Sequence, residues 1–107
     1  MIIGCPTEIK NQEYRVGITP AAAAEATLRG HKVLIQSGAG NGSGFTNEEY
    51  LEVGAIIIDT AEELFKKSEM IVKVKEPQAI ERAMLREDQI LFTYLHLAPD
   101  LEQTNDL

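Results

Sequence analysis

Tryptophan is absent from the 107 residues, cysteine occurs once, and aromatic side chains make up only 6%. A lone Cys5 rules out an intrachain disulfide, which suits a reducing cytoplasm. Within an apolar strand it reads as inert core and not as a nucleophile. Basic residues are also scarce: Lys and Arg number 10 against 17 Asp and Glu, a formal net charge of −7. A protein that grips phosphate backbones without regard to sequence needs the opposite balance, so nucleic acid is not an expected partner. No apolar run is long enough to cross a bilayer and no signal-peptide pattern opens the chain, so no membrane partner is expected either. The two histidines, His31 and His96, lie far apart and lack ligand spacing, which argues against a metal. No Ser-His-Asp or Cys-His pattern stands out, and there is no repeat, linker or low-complexity stretch.

What is present is an ordinary globular composition, 44% hydrophobic and 25% charged, of a length that closes one modest core. Strand-like and helix-like segments alternate. The apolar runs 2-IIGC-5, 32-KVLIQ-36, 55-AIII-58, 69-EMIVKV-74 and 90-ILFTYL-95 read as five strands. Their continuity fits strands buried on both faces. Between them, Thr19 with Pro20 opens a helix that Gly30 can end. Thr46 and Glu49 have capping-box spacing ahead of a helix closed by Gly54, and Thr60 and Glu63 repeat the spacing. A further helix is expected over 79-AIERAMLR-86, and Asp100 with Gln103 can start a last one. Strand–helix alternation of this kind predicts an α/β fold: a parallel sheet with helices on both faces and right-handed crossovers.

The glycine-rich stretch 38-GAGNGSGF-45 invites a nucleotide reading that its spacing does not support. A G-x-G-x-x-G fingerprint begun at Gly38 meets Ser43 in place of its last glycine, and one begun at Gly40 meets Phe45. The stretch reads as a turn-forming loop, and no cofactor-binding residue is expected in it.

In an open parallel sheet, ligands bind beyond the carboxyl ends of the strands. Three groups fall there: Arg15 after the first strand, Lys75 at the end of the fourth, and His96 at the end of the fifth. An arginine fork matches a carboxylate, a lysine can polarise a carbonyl, and a histidine can move a proton near neutral pH. A plainer reading stands beside this one. Arg15 can be simply solvated, Lys73 and Lys75 can mark an exposed strand edge, and His96 can be a hydrogen-bonded rim residue.

The segments 1-MIIGCPTEIKNQEYRVGITPA-21, 37-SGAGNGSGF-45, 72-VKVKEP-77 and 91-LFTYLHLAPD-100 resemble bacterial alanine dehydrogenases, in order and over essentially the whole chain. The resemblance implies NAD-dependent, reversible deamination of L-alanine to pyruvate and ammonium. It implies that Arg15 binds the substrate carboxylate, that Lys75 contacts the substrate and polarises its carbonyl, and that His96 gives and takes the proton. Tyr94 would help shape the pocket. It further implies a flavodoxin-like strand order, 2-1-3-4-5, with the switch point between the first and third strands, and homo-oligomers, commonly hexamers.

Such enzymes carry a nucleotide-binding domain after this segment, so residues 1–107 are expected to be the N-terminal part of the substrate domain, incomplete at its carboxyl end. The chain by itself is then expected to be inactive and, with an apolar face uncovered, prone to dimerise. Two other readings remain: a non-catalytic binding or assembly module from a truncated gene, and a fragment of the related NAD(P) transhydrogenase, which shares an RVG-type opening but lacks a histidine in a YLHLAP context.

Overall fold

The computed structural model describes residues 1–9 and 13–93. The elements run β1 (Ile2–Cys5), α1 (Pro20–Leu28), β2 (Lys32–Gln36), a 3-10 turn (Asn41–Ser43), α2 (Asn47–Glu52), β3 (Ile56–Ile58), α3 (Ala61–Lys67), β4 (Met70–Lys73), α4 (Ala79–Arg82) and β5 (Ile90–Thr93).

The helix starts follow from their caps. Thr19 accepts the Ala22 N–H at 3.1 Å ahead of Pro20, whose missing N–H falls where no intrahelical bond is due. Thr46 and Glu49 bond reciprocally, at 3.2 and 3.0 Å, and Thr60 accepts from the Glu63 N–H at 3.2 Å. Gly30 and Gly54 take positive φ after α1 and α2, as expected. The helix after Pro77 is shorter than its pattern, covering Ala79–Arg82 and not 79–86. Tertiary contacts win there over propensity. Arg86 donates to the Ser68 carbonyl, and Gln89 donates to the Phe65 and Ser68 carbonyls at 2.7 Å each. These bonds pull the chain off the helix axis and onto the end of α3.

All four strand pairings are parallel. The α/β class with helices on both faces is as the sequence predicted, but the strand order is not. The sheet runs β3-β2-β1-β4-β5, so the expected order 2-1-3-4-5 is corrected, and the switch point lies between β1 and β4. The reason is the face on which α2 packs. Tyr50 of α2 shares one core with Ala23 of α1, Cys5, Val33, Ile35 and Val72. With α1 and α2 on the same face, right-handed crossovers carry β2 and β3 outward in one direction from β1. The return to β4 must use the opposite face, where Leu64 and Phe65 of α3 meet Leu34, Ile58 and Ile71. On its way α3 crosses directly over β1. A Cβ on Gly4 would lie 1.9 Å from Ser68 Oγ and 3.0 Å from Leu64 Cδ2, so only glycine admits the crossing.

Side chains alternate between these two cores along each strand, which is why the strands look uniformly apolar in sequence. Burying Phe65 and Leu64 completely contributes on the order of 1.5–3 kcal/mol each. At β5 the cover thins: Ile90 and Phe92 remain about half exposed, 47% and 50%. No helix among the described residues is long and apolar enough to cross a membrane.

Candidate functional site

Two loops leave the sheet at the switch point, residues 6–18 after β1 and residues 74–78 after β4. The first is pressed against β4. A Cβ on Gly17 would meet the Val72 carbonyl oxygen at 2.6 Å, so backbone touches backbone there. The same end of this loop is also fixed by Tyr50, whose hydroxyl donates to the Ile18 carbonyl at 2.7 Å. The glycine-rich loop supports it from the side, with Ser43 Oγ donating to the Tyr14 carbonyl at 3.0 Å. That loop is a turn and a brace, consistent with its failed fingerprint.

Beneath the rim lies a sealed ion cluster. Lys73 Nζ is 3.0 Å from Glu8 Oε1 and 3.0 Å from Glu81 Oε2, and all three side chains are 1–2% exposed. Glu8 also accepts the Val74 and Lys75 N–H groups, at 2.9 and 3.3 Å, and Glu81 accepts the Gln78 N–H at 2.8 Å. Lys73 is therefore no exposed edge lysine. It occupies an interior strand, and burial without both carboxylates would be prohibitive. The cluster joins the loop after β1, β4 and α4 in one knot.

Above it lies an open cluster. Glu13 presents its carboxylate side-on to Arg15: Oε2 accepts from Nε at 3.0 Å and from the Arg15 backbone N–H at 2.8 Å, and Oε1 accepts from Nη2 at 3.1 Å. Lys75 Nζ lies 3.9 Å from the same Oε1. The Glu13 side chain is 4% exposed, against 61% for Arg15 and 23% for Lys75. The guanidinium's hydrogen bonds hold the Glu13 carboxyl below the usual carboxylate range, and Glu13 in turn raises Arg15. Glu13 occupies the Nε–Nη2 edge of the fork and leaves Nη1 outside the pair.

Arg15 separates two small clefts. One, of about 270 Å³, is lined by Arg15, Val16, Thr19, Ser43, Phe45 and Val74. The other, of about 260 Å³, runs past Thr7, Glu13 and Gly38. Thr7 Oγ1 is buried beside the second cleft and has no hydrogen-bond partner among the described residues. Cys5 lies close beneath, its thiol pushed up to about 12 by burial, which leaves it unreactive at neutral pH.

Arg15 and Lys75 thus come together, through an acidic residue that sequence reasoning passed over. Glu8 and Glu13 both stand between β1 and α1 with no helix start to cap, and that was the available signal. Tyr94 and His96 lie outside the described residues. The strand that precedes them, β5, is parallel to β4 with Thr93 opposite Lys73, so β5 ends on this same rim. The arrangement offers two cations from separate loops, one internal carboxylate, and space for a molecule of a few heavy atoms. Two such cations can pair with a small carboxylate.

The family described as "Alanine dehydrogenase/PNT, N-terminal domain" matches residues 4–107. The chain is 56% identical over 107 residues to an alanine dehydrogenase of Methanococcus maripaludis and 50% identical to that of Mycobacterium tuberculosis H37Rv. Each match covers all of this chain and 29% of the relative, so the chain spans under a third of the curated relatives' length. A solved L-alanine dehydrogenase superposes with a TM-score of 0.92 at 46% identity, covering 100% of this chain and 29% of that one. A transhydrogenase from Sinorhizobium meliloti superposes at 0.90 with 25% identity, covering 99% and 31%.

Proposed function

Because this chain belongs to the alanine dehydrogenase/PNT N-terminal domain family, we propose that it forms the substrate-binding lobe of an NAD-dependent L-alanine dehydrogenase, an oxidoreductase interconverting L-alanine and water with pyruvate and ammonium. The observation that carries the reading is the convergence of Arg15 and Lys75, from the loops after β1 and β4, on one carboxylate at the switch point. Arg15 uses the part of its fork that Glu13 leaves available to hold the substrate carboxylate. Lys75 lies beside the 2-oxo or 2-amino carbon and polarises the carbonyl in the reductive direction. His96, three residues past Thr93, moves the proton, and Tyr94 shapes the pocket wall.

The cofactor supplies hydride chemistry to such a reaction. With Ser43 and Phe45 in place of fingerprint glycines, the residues described here do not fit a dinucleotide, so NAD is held by a domain outside residues 1–107. The lobe binds and orients the substrate, and the 107-residue chain alone does not reduce NAD. The half-exposed Ile90 and Phe92 favour association, in keeping with a homo-oligomeric enzyme. The lone buried Cys5 suits the reducing cytoplasm. Higher identity to the dehydrogenase than to the transhydrogenase favours the alanine reading over the alternative.

Nuclear magnetic resonance titration of the isotope-labelled protein with pyruvate tests the proposal. Saturable shifts at the amides around Arg15 and Lys75 are expected, with affinity at least about tenfold weaker in Arg15→Ala. Equal affinity in that variant removes Arg15 from the site.

A further inference from the structure

Lys73 and Lys75 would share one face if β4 simply continued, because side chains along a strand alternate with a period of two. They do not share one environment: the Lys73 side chain is 1% exposed and that of Lys75 is 23%. Strand β4 ends at Lys73, and the chain bends at Val74 and Lys75. Its described pairings stop there as well, the last being Lys73 with Thr93. The next two N–H groups go to one side chain instead. Glu8 Oε2 accepts from Val74 at 2.9 Å, and Oε1 accepts from Lys75 at 3.3 Å. Consecutive N–H groups of an extended strand point to opposite sides, so a single carboxylate takes both only where the chain has turned. Oε1 also accepts from Lys73 Nζ at 3.0 Å, which anchors the carboxylate to the strand it ends.

We propose that Glu8 is a positioning residue for Lys75: its carboxylate gathers the two N–H groups, turns the chain out of the strand and presents Lys75 on the rim beside Arg15. The inference rests on the substrate reading above. Glu8 stands on the loop that also carries Arg15, so one side chain ties the Lys75 backbone to the loop of the other cation. Glu8 borders the cleft of about 260 Å³, but its side chain is 2% exposed and both oxygens are engaged. It therefore acts through the Lys75 backbone and not by touching the ligand. Glu81 provides the contrast. It pairs with Lys73 at the same 3.0 Å, but the backbone N–H it accepts is that of Gln78.

Glu8→Gln and Glu81→Gln test the assignment side by side. A glutamine amide keeps one oxygen and replaces the other with a donor, which cannot accept an N–H. Both variants take one carboxylate from Lys73, and both are expected to unfold at lower urea concentration than the native protein. Only Glu8→Gln is expected to move the Val74 and Lys75 amide resonances. Pyruvate, titrated by nuclear magnetic resonance, is expected to bind about tenfold more weakly to Glu8→Gln and within about twofold of native strength to Glu81→Gln. Where Glu8→Gln does not fold, Glu8→Asp takes its place, since it keeps the charge beside Lys73 and draws the carboxylate back by one methylene from the two N–H groups. Unmoved Val74 and Lys75 resonances, or equal losses of affinity in the Glu8 and Glu81 variants, would mark a role in stability alone and overturn the proposal. So would native affinity in the Glu8 variant while Arg15→Ala binds weakly, a result that leaves the substrate reading standing. Pyruvate binding that ignores Arg15 removes the substrate reading, and this inference with it.

Discussion

Two three-residue ion clusters stand at the switch point, and they are charge inverses. In the lower one a lysine is held by two glutamates and every side chain is sealed. In the upper one a glutamate is held by a lysine and an arginine, and the arginine faces water. The sealed cluster has to be satisfied internally, because each ion removed from water there costs several kcal/mol if left unpaired. It therefore recruits backbone N–H groups as well as side chains. The open cluster is free of that demand, because water reaches Arg15, whose side chain is 61% exposed. Burial, more than residue type, separates Lys73, sealed inside the fold, from Lys75, the residue proposed to contact substrate, two positions apart on one segment.

The strongest way to break this contrast is Lys73→Ala. It strands two buried carboxylates, and a loss of about 3–5 kcal/mol in urea unfolding is expected. A loss below about 1 kcal/mol, the scale of an exposed ion pair, would erase the distinction between the clusters. Gly17→Ala comes next. It forces a methyl against the Val72 carbonyl, with a cost of about 1–3 kcal/mol and weaker pyruvate binding, because the strap it displaces also carries Arg15. Preserved binding at reduced stability would show that the strap and the open cluster are independent. Thr46→Ala serves as the control, since it removes half of the capping box on α2 and costs about 1 kcal/mol without touching affinity.

The smallest effect concerns pH. The folded-state pKa of Glu13 is depressed, so the stability its pairing contributes is full above the ordinary carboxylate value. It is lost only as pH falls through the lower folded value. The difference in unfolding midpoint between the native protein and Glu13→Gln should accordingly be flat through neutral pH and close only on the acid side. A difference that closes above the ordinary carboxylate range reverses the sign of this argument.

The elements were largely legible because their punctuation is local: Thr19 with Pro20, Thr46 with Glu49, and Gly54 each act within a few residues of where they stand. Strand order was not, because it depends on which face α2 covers. Strands that are apolar on both sides give no sign of that. Gly4 was the one clue, a glycine inside a strand that marks the crossing of α3, and its meaning is visible only beside Ser68. In the site, Arg15 and Lys75 were legible from their position after strands. Glu13 and Glu8 were not, since a carboxylate's partner lies across the fold, Glu8 being 65 residues from Lys73. The helix expected over 79–86 failed for a related reason, losing its second half to carbonyls at the end of α3.

Tyr50 gives this protein an optical probe of its own. With no tryptophan to mask it, near-ultraviolet absorption comes chiefly from phenol rings, and that of Tyr50 is buried with its ionisation pushed upward mainly by desolvation. Its hydroxyl is tethered to Ile18, the foot of the strap that carries Arg15 and Glu13. A change in the seating of that strap therefore alters the surroundings of a natural chromophore, without any attached dye.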